Sequence, residues 1–301
     1  MRKSFILAAL AVITLSSIRF SPAAASTSVA KSDTVAQQDC QSEDFLDVST
    51  FSQAGLPTPE LNVFCDDDMM IVESNGIPNF EYTQVTPNGL AEQNYRWLIP
   101  QTPTEAAETS PIPLVGPVAI AVNGLPIFGP NEAPFDDYGD PLLDQLLDYC
   151  NGHTAPGGIY HFHARPDCLF ETVEGEVGLV IGYAFDGYPI LAPYLCEDED
   201  CSSVIEAVSS WQRTSEVRNA WEANEYIAGS GNLDQCNGTY LADGSYAYFA
   251  TATFPYFMGC YHGEAVANGP GGEGPPPLAG NEPNNPPQGA PPSGGRPPRR
   301  R

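Results

Sequence analysis

Positive charge is scarce in this sequence. Its 301 residues include 12 Lys or Arg against 38 Asp or Glu, a formal charge of −26. Residues 40–264 hold 34 acidic residues and four arginines (Arg96, Arg165, Arg213 and Arg218), a formal −30. Such a body repels phosphate, which excludes nucleic acid as a partner. Long apolar runs are also missing. The stretch from Phe5 to Leu15 is too short to span a bilayer, and nothing after it is long enough, so no transmembrane helix is expected. Gly-x-Ser-x-Gly, a P-loop, a dinucleotide fingerprint and His-Glu-x-x-His are all absent. No Cys-x-x-Cys pair occurs, which argues against a zinc ribbon. Histidine is scarce too, with four in the whole chain.

What is present points to export. Arg2 and Lys3 precede the apolar run, and Ala23-Ala24-Ala25 supplies an A-x-A cleavage site, so residues 1–25 read as a secretory signal peptide. A secreted or periplasmic protein with eight cysteines (Cys40, Cys65, Cys150, Cys168, Cys196, Cys201, Cys236 and Cys260) is expected to form disulfides. Spacing does not fix the connectivity; neighbour pairing, Cys40–Cys65, Cys150–Cys168, Cys196–Cys201 and Cys236–Cys260, is the expectation. Residues 26–67 read as a polar N-terminal segment and 68–264 as the folded domain. Residues 265–301, rich in Pro and Gly and closing on Arg299-Arg300-Arg301, read as a disordered tail. Those arginines could fold back on the acidic body or touch an anionic surface; such a tail is usually just solvated. The negative charge most simply serves solubility. Calcium at Asp66-Asp67-Asp68, Asp136-Asp137 or Glu197-Asp198-Glu199-Asp200 is the sharper alternative, although none has EF-hand spacing.

Short apolar runs separated by turn residues indicate a mainly β body. Met70 to Glu73 and Tyr95 to Ile99 read as strands, with Gln101 to Pro113 a Pro/Thr-rich connector. Val118 to Val122, Asn123-Gly124 and Leu125 to Phe128 form a hairpin whose turn should place both central residues at positive φ. Sixty-three residues on, Ile181 to Phe185, Asp186-Gly187 and Tyr188 to Leu191 repeat it. A proline in each return strand, Pro126 and Pro189, has no N–H to give and suggests an edge there. Leu147-Asp148-Tyr149-Cys150-Asn151-Gly152 recurs as Leu233-Asp234-Gln235-Cys236-Asn237-Gly238, an offset of 86. Two pseudo-repeats, 118–168 and 181–260, therefore suggest a disulfide-stapled sandwich or barrel-like body. The second carries an insertion, 197–225, with a short helix expected over Ser202–Trp211 from Val204, Ile205, Val208 and Trp211 at helical spacing.

Three of the four histidines fall between Cys150 and His163. Gly157-Gly158 signals a turn, and a strand from Ile159 to Ala164 would put His161 and His163 on one face, roughly 6–7 Å apart at Cα. Tyr160 and Phe162 would face the core. Two imidazoles on one face with His153 across the turn suit a divalent metal. In the second repeat the matching positions are Thr239, Ala247 and Phe249, while the aromatics and Cys-Asn-Gly are shared. The shared residues thus read as scaffold and the histidines as an addition to one copy. The competing reading is two solvated histidines hydrogen-bonded to carboxylates.

The run from Gly152-His153 to Tyr160-His161-Phe162-His163 resembles the signature of the YHYH-domain family of secreted proteins. Ala121-Val122-Asn123-Gly124-Leu125-Pro126-Ile127-Phe128-Gly129, Ala184-Phe185-Asp186-Gly187-Tyr188-Pro189-Ile190 and Phe254-Pro255-Tyr256-Phe257-Met258-Gly259-Cys260 match it in order. The resemblance spans about residues 71–263 and implies no defined activity. The chain departs from the pattern at Phe162, in place of the second tyrosine, and at Phe80, where similar proteins often carry histidine. If that histidine is a ligand elsewhere, the site here has one fewer.

The candidate ligands are therefore His153, His161, His163 and, if the two repeats face each other, His262. Imidazole suits copper or zinc. Asp148 and Asp186 could orient an imidazole from behind, yet Asp148 has an equivalent in Asp234, and Asp186 occupies a turn position. Arg165 could hold an anionic substrate or pair with Asp167. Two functions of different class fit: a metal centre, catalytic or not, and a non-catalytic extracellular module that binds a glycan, matrix component or protein.

Overall fold

The computed structural model describes residues 40–268 except Glu199. The expected signal peptide and most of the expected tail lie outside the described residues. The strands are β1 (Leu61–Asp66), β2 (Met69–Ser74), β3 (Tyr95–Pro100), β4 (Glu105–Pro111), β5 (Pro117–Ala121), β6 (Pro126–Phe128), β7 (Gly152–Ala155), β8 (Ile159–Phe162) and β9 (Val180–Ala184). They continue as β10 (Pro189–Leu191), β11 (Tyr194–Cys196), β12 (Val204–Glu206), β13 (Trp211–Arg213), β14 (Asn224–Tyr226), β15 (Gly238–Tyr240), β16 (Tyr246–Phe249) and β17 (Cys260–Gly263). The one α-helix among the described residues, α1 (Ala220–Ala223), is capped by Asn219, whose side chain accepts from the N–H groups of Trp221 and Glu222.

The central feature is an eight-stranded sheet in the order β15-β16-β10-β9-β5-β6-β8-β7. Outward from its middle, each half runs hairpin, then a parallel neighbour, then an antiparallel edge strand. β5 and β9 meet antiparallel, with Ile120 opposite Tyr183 and Ala121 opposite Gly182. A Cβ at Gly182 would collide with the Ile120 carbonyl, so glycine is required where the halves cross. A three-stranded sheet, β1-β2-β3, packs on this body through Trp97, stacked on Phe185 at 5.6 Å, and both sheets share one buried apolar cluster.

The two hairpins have the same turn, and it differs from expectation. Gly124 and Gly187 have φ of 81° and 90°, but Asn123 and Asp186 do not reach positive φ. The Gly124 N–H donates to the Ala121 carbonyl, and the Gly187 N–H to that of Ala184. Each loop therefore has three residues and ends on a left-handed glycine, the alternative to a two-residue turn. The Cys-Asn-Gly turns also correspond. Asn151 and Asn237 are left-handed, at φ 62° and 67°, a conformation asparagine tolerates.

Several expectations are corrected. β6 and β10 lie inside the sheet, not at an edge. Their prolines stand first in each strand, and β6 meets β8 only at Ile127, opposite Phe162, so no ladder N–H is required of Pro126. The connector after Gln101 contains β4, which pairs with β17. The expected helix at Ser202–Trp211 is absent. Val204 and Ile205 lie in β12, paired with β11 in a hairpin closed by Cys196–Cys201, and Trp211 begins β13. Helical spacing in a run this short did not outweigh β-branched side chains held beside a partner strand.

All four disulfides pair neighbours as expected: Cys40–Cys65, Cys150–Cys168, Cys196–Cys201 and Cys236–Cys260. Cys40–Cys65 ties the first described residue to β1. At the other end Val266 donates to the Phe185 carbonyl, and the Asn268 amide bridges the Leu98 N–H and carbonyl, so the chain is packed to the last described residue. No helix among the described residues is long and apolar enough to cross a membrane.

Candidate metal centre

The β7–β8 hairpin is built by its glycines. Gly157 and Gly158 turn the chain at φ of 86° and 78°. A Cβ at Gly152 would sit 2.5 Å from the Tyr160 hydroxyl and 2.6 Å from the His161 carbonyl. The resulting register sets His153 directly opposite His161, with Gly152 opposite Phe162. Strand alternation then sends Tyr160 and Phe162 into the core, where both are fully buried against Phe80. His161, and His163 just beyond the strand, emerge on the opposite face with His153.

That face is not solvated. His153, His161 and His163 are 6%, 3% and 2% exposed, which removes the reading of histidines on an open strand face. The end of β6 and the segment joining it to β7 cover them: Phe128 stacks on His161 at 3.9 Å, and the carbonyls of Gly129 and Leu146 point inward. The three rings are 4.7–5.1 Å apart by centroid, and one ligand atom from each lies within 4.8 Å of the others.

Hydrogen bonding fixes which nitrogens face inward. Nδ1 of His153 meets the Leu146 carbonyl at 3.1 Å, that of His161 the Ile159 carbonyl at 3.2 Å, and that of His163 the Gly129 carbonyl at 2.7 Å. A carbonyl oxygen only accepts, so each Nδ1 carries the hydrogen and each neutral ring has its lone pair on Nε2. The Nε2 atoms of His161 and His163 are 2.9 Å apart. Two bare lone pairs at that distance repel, and a cation beside both turns the contact attractive. Protons do not supply that charge near neutrality. Burial, reinforced by the neighbouring imidazoles, holds His161 well below the usual histidine range and brings His163 down to about 3; burial also lowers His153.

Sequence reasoning missed Glu132. Its Oε1 lies 3.2 Å from His153 Nε2 and 4.0 Å from His163 Nε2, and it is buried with no hydrogen-bond donor. Burial first, and Asp136 second, push its carboxyl above the usual range. The available signal was isolation: Glu132 is the single acid between residues 109 and 135 of a very acidic chain.

The remaining candidates lie elsewhere. Asp148 accepts from the Cys150 and Gly152 N–H groups and from the Tyr160 hydroxyl. Asp234 does the same for Cys236, Gly238 and Tyr246. Both carboxylates hold a turn, as N–H-rich local geometry favours. Asp186 is fully buried, accepting from the Tyr248 hydroxyl and the Gly263 N–H. Arg165 pairs with Asp167 and donates to the Ala250 carbonyl. His262 stacks on Tyr246 at 3.7 Å, with Tyr188 and Tyr240 edge-on, and does not join the trio. Phe80 belongs to the core face with Tyr160 and Phe162, so its side chain is on the other side of the hairpin from the trio. The acidic runs gather no comparable ligand group among the described residues; Asp67 turns β1 into β2, and Asp136 is paired with Arg218.

The opposite half of the sheet serves as a comparison. Thr239 faces Ala247 in the register where His153 faces His161. There Leu191, Ala207, Leu233, Ala247 and Phe249 form a small buried apolar cluster. The same position in the sheet is filled by hydrocarbon in one half and by imidazole in the other, so the fold itself does not demand histidine.

No curated protein and no solved structure matches the chain. A family model described as "YHYH protein" matches residues 96–263, more than half of the sequence, and includes the whole histidine hairpin. The chain belongs to the YHYH protein family.

Proposed function

We propose that this is an exported protein that holds one divalent metal ion on His153, His161 and His163. The observation that carries the reading is the meeting of imidazole nitrogens without hydrogens: Nε2 of His161 and His163 stand 2.9 Å apart, each ring oriented by an Nδ1 bond to a carbonyl. Carbonyl partners behind metal-binding imidazoles orient the ring and raise its basicity. Copper or zinc is the ion that imidazole donors suit. The disulfides agree with an oxidising compartment. No reaction is assigned.

Elemental analysis of protein purified without an affinity tag tests the reading. About one copper or zinc per chain is expected, and its loss in His161→Ala/His163→Ala. Equal metal content in the two proteins, or none in the native chain, rejects it.

A further inference from the structure

We infer that Glu132 is the fourth ligand of this ion, so that the metal clasps the 129–148 connection onto the β7–β8 hairpin and no position is left for solvent. The inference rests on the reading of the trio as a metal site. Its own support is an unmet acceptor. Glu132 Oε1 is buried, receives no hydrogen bond, and faces Nε2 of His153 at 3.2 Å and of His163 at 4.0 Å. Those nitrogens carry no hydrogen to offer, because their Nδ1 atoms are committed to carbonyls. The charged groups that act on Glu132 are Asp136, Asp144 and Arg218, and Arg218 is already paired with both aspartates. A buried carboxylate oxygen that faces only lone pairs is costly without a cation, and an ion shared with the imidazoles removes that cost.

The chain around Glu132 is fixed. Its N–H donates to the Gly139 carbonyl, and its own carbonyl accepts from the Asn131 amide. Asn131 in turn accepts from the Trp221 indole. The connection thus brings three things to the hairpin from outside it: the Gly129 and Leu146 carbonyls and the Glu132 carboxylate. Four protein ligands around one ion make a closed centre of the structural kind; an open position is the mark of a catalytic one.

The test uses the full secreted chain loaded with zinc, or with cobalt(II) as a spectroscopic stand-in. X-ray absorption at the zinc edge of the native protein should return four ligands, three of them imidazole. Cobalt(II) should show the intense visible bands of a four-coordinate ion. In Glu132→Gln, affinity measured by chelator competition should fall by more than the roughly 10–100-fold typical of a residue that merely orients a ligand. The 129–148 connection should also become cleavable by protease in the native chain after chelation. Five or six ligands in the native protein, or a Glu132→Gln affinity and cobalt spectrum like the native ones, overturns the inference and leaves the three-histidine site standing. A native chain that takes up no ion defeats the underlying reading first. Should the variant fail to fold, azide titration of the native cobalt(II) protein decides the matter: unchanged visible bands support a centre closed by protein ligands, and bands that shift as azide binds reveal a solvent position and overturn the inference.

Discussion

Replacing His161 and His163 together by alanine separates the metal from the fold, because the sheet already carries alanine at the equivalent register position, Ala247 opposite Thr239. On the proposed reading, the native protein gains stability from an ion that binds only the folded state. At a free concentration a hundred times the dissociation constant the gain is about 2.7 kcal/mol. For a domain of this size each kcal/mol moves Tm by about 2–4 °C, so metal should raise the native Tm by roughly 5–11 °C over the chelated protein. The double variant should show no such rise. Its metal-free Tm will fall somewhat, since the buried Gly129 carbonyl loses its 2.7 Å donor on His163, a cost of about 1–3 kcal/mol. The informative quantity is therefore the metal-induced shift within each protein, read by calorimetry at matched free copper or zinc. An equal shift in both proteins, or no shift in the native one, refutes the reasoning.

Asp148→Ala should cost about 2–4 kcal/mol in denaturant unfolding, because it strips two buried N–H groups and the Tyr160 hydroxyl of their acceptor. It should leave metal content intact, and Asp234→Ala should cost a similar amount; loss of metal in the first alone would assign Asp148 to the site. Cys150–Cys168 closes a loop of 18 residues around all three histidines, so Cys150→Ser/Cys168→Ser should lose about 3 kcal/mol and bind metal more weakly; unchanged affinity would show that the hairpin needs no staple. Metal-free protein should lose stability on acidification from pH 7.5 to 5.5. The folded-state pKa values of His161 and His163 lie below the unfolded value, His163 at about 3. The unfolded chain therefore takes up protons first as the pH falls through about 6.5, and the two together cost roughly 3 kcal/mol by pH 5.5. The buried carboxylates Glu132, Asp140, Asp148 and Asp186, shifted upward by burial, act with the opposite sign, so the loss is read as the difference between the native protein and His161→Ala/His163→Ala, which share them. A difference that does not change across that interval contradicts the burial of neutral imidazoles.

Much of the framework was legible along the chain because its causes are local. A period of two places Tyr160 and Phe162 on one face and His161 and His163 on the other. Asn123-Gly124 and Asp186-Gly187 mark turns, and cysteines close in sequence pair with each other. The halves share Cys-Asn-Gly and aromatics in sequence while one alone carries the three histidines, and the apolar cluster of Leu191 and Phe249 occupies the corresponding place in the other. The local signal failed where a partner strand decided the outcome. Val204 and Ile205 suit helix or strand by pattern alone, and the β11 hairpin made them strand. The Pro/Thr-rich connector became β4 because β17 lies beside it.

The site depended most on distant contacts. Sequence placed three imidazoles near one another, but it gave neither their burial nor the nitrogen each presents. Those follow from the pairing of Ile127 with Phe162, which brings the end of β6 beside β8 and lays Phe128, the Gly129 carbonyl and Glu132 over the hairpin. Glu132 precedes His153 by 21 residues and shares no periodicity with it. Sheet order also set His262 among the tyrosines of the other half and Phe80 against the core face. Alternation along a strand belongs to each chain segment and is written in its order of residues. Which segment covers another depends on burying both apolar faces at once, and only the assembled sheet settles that.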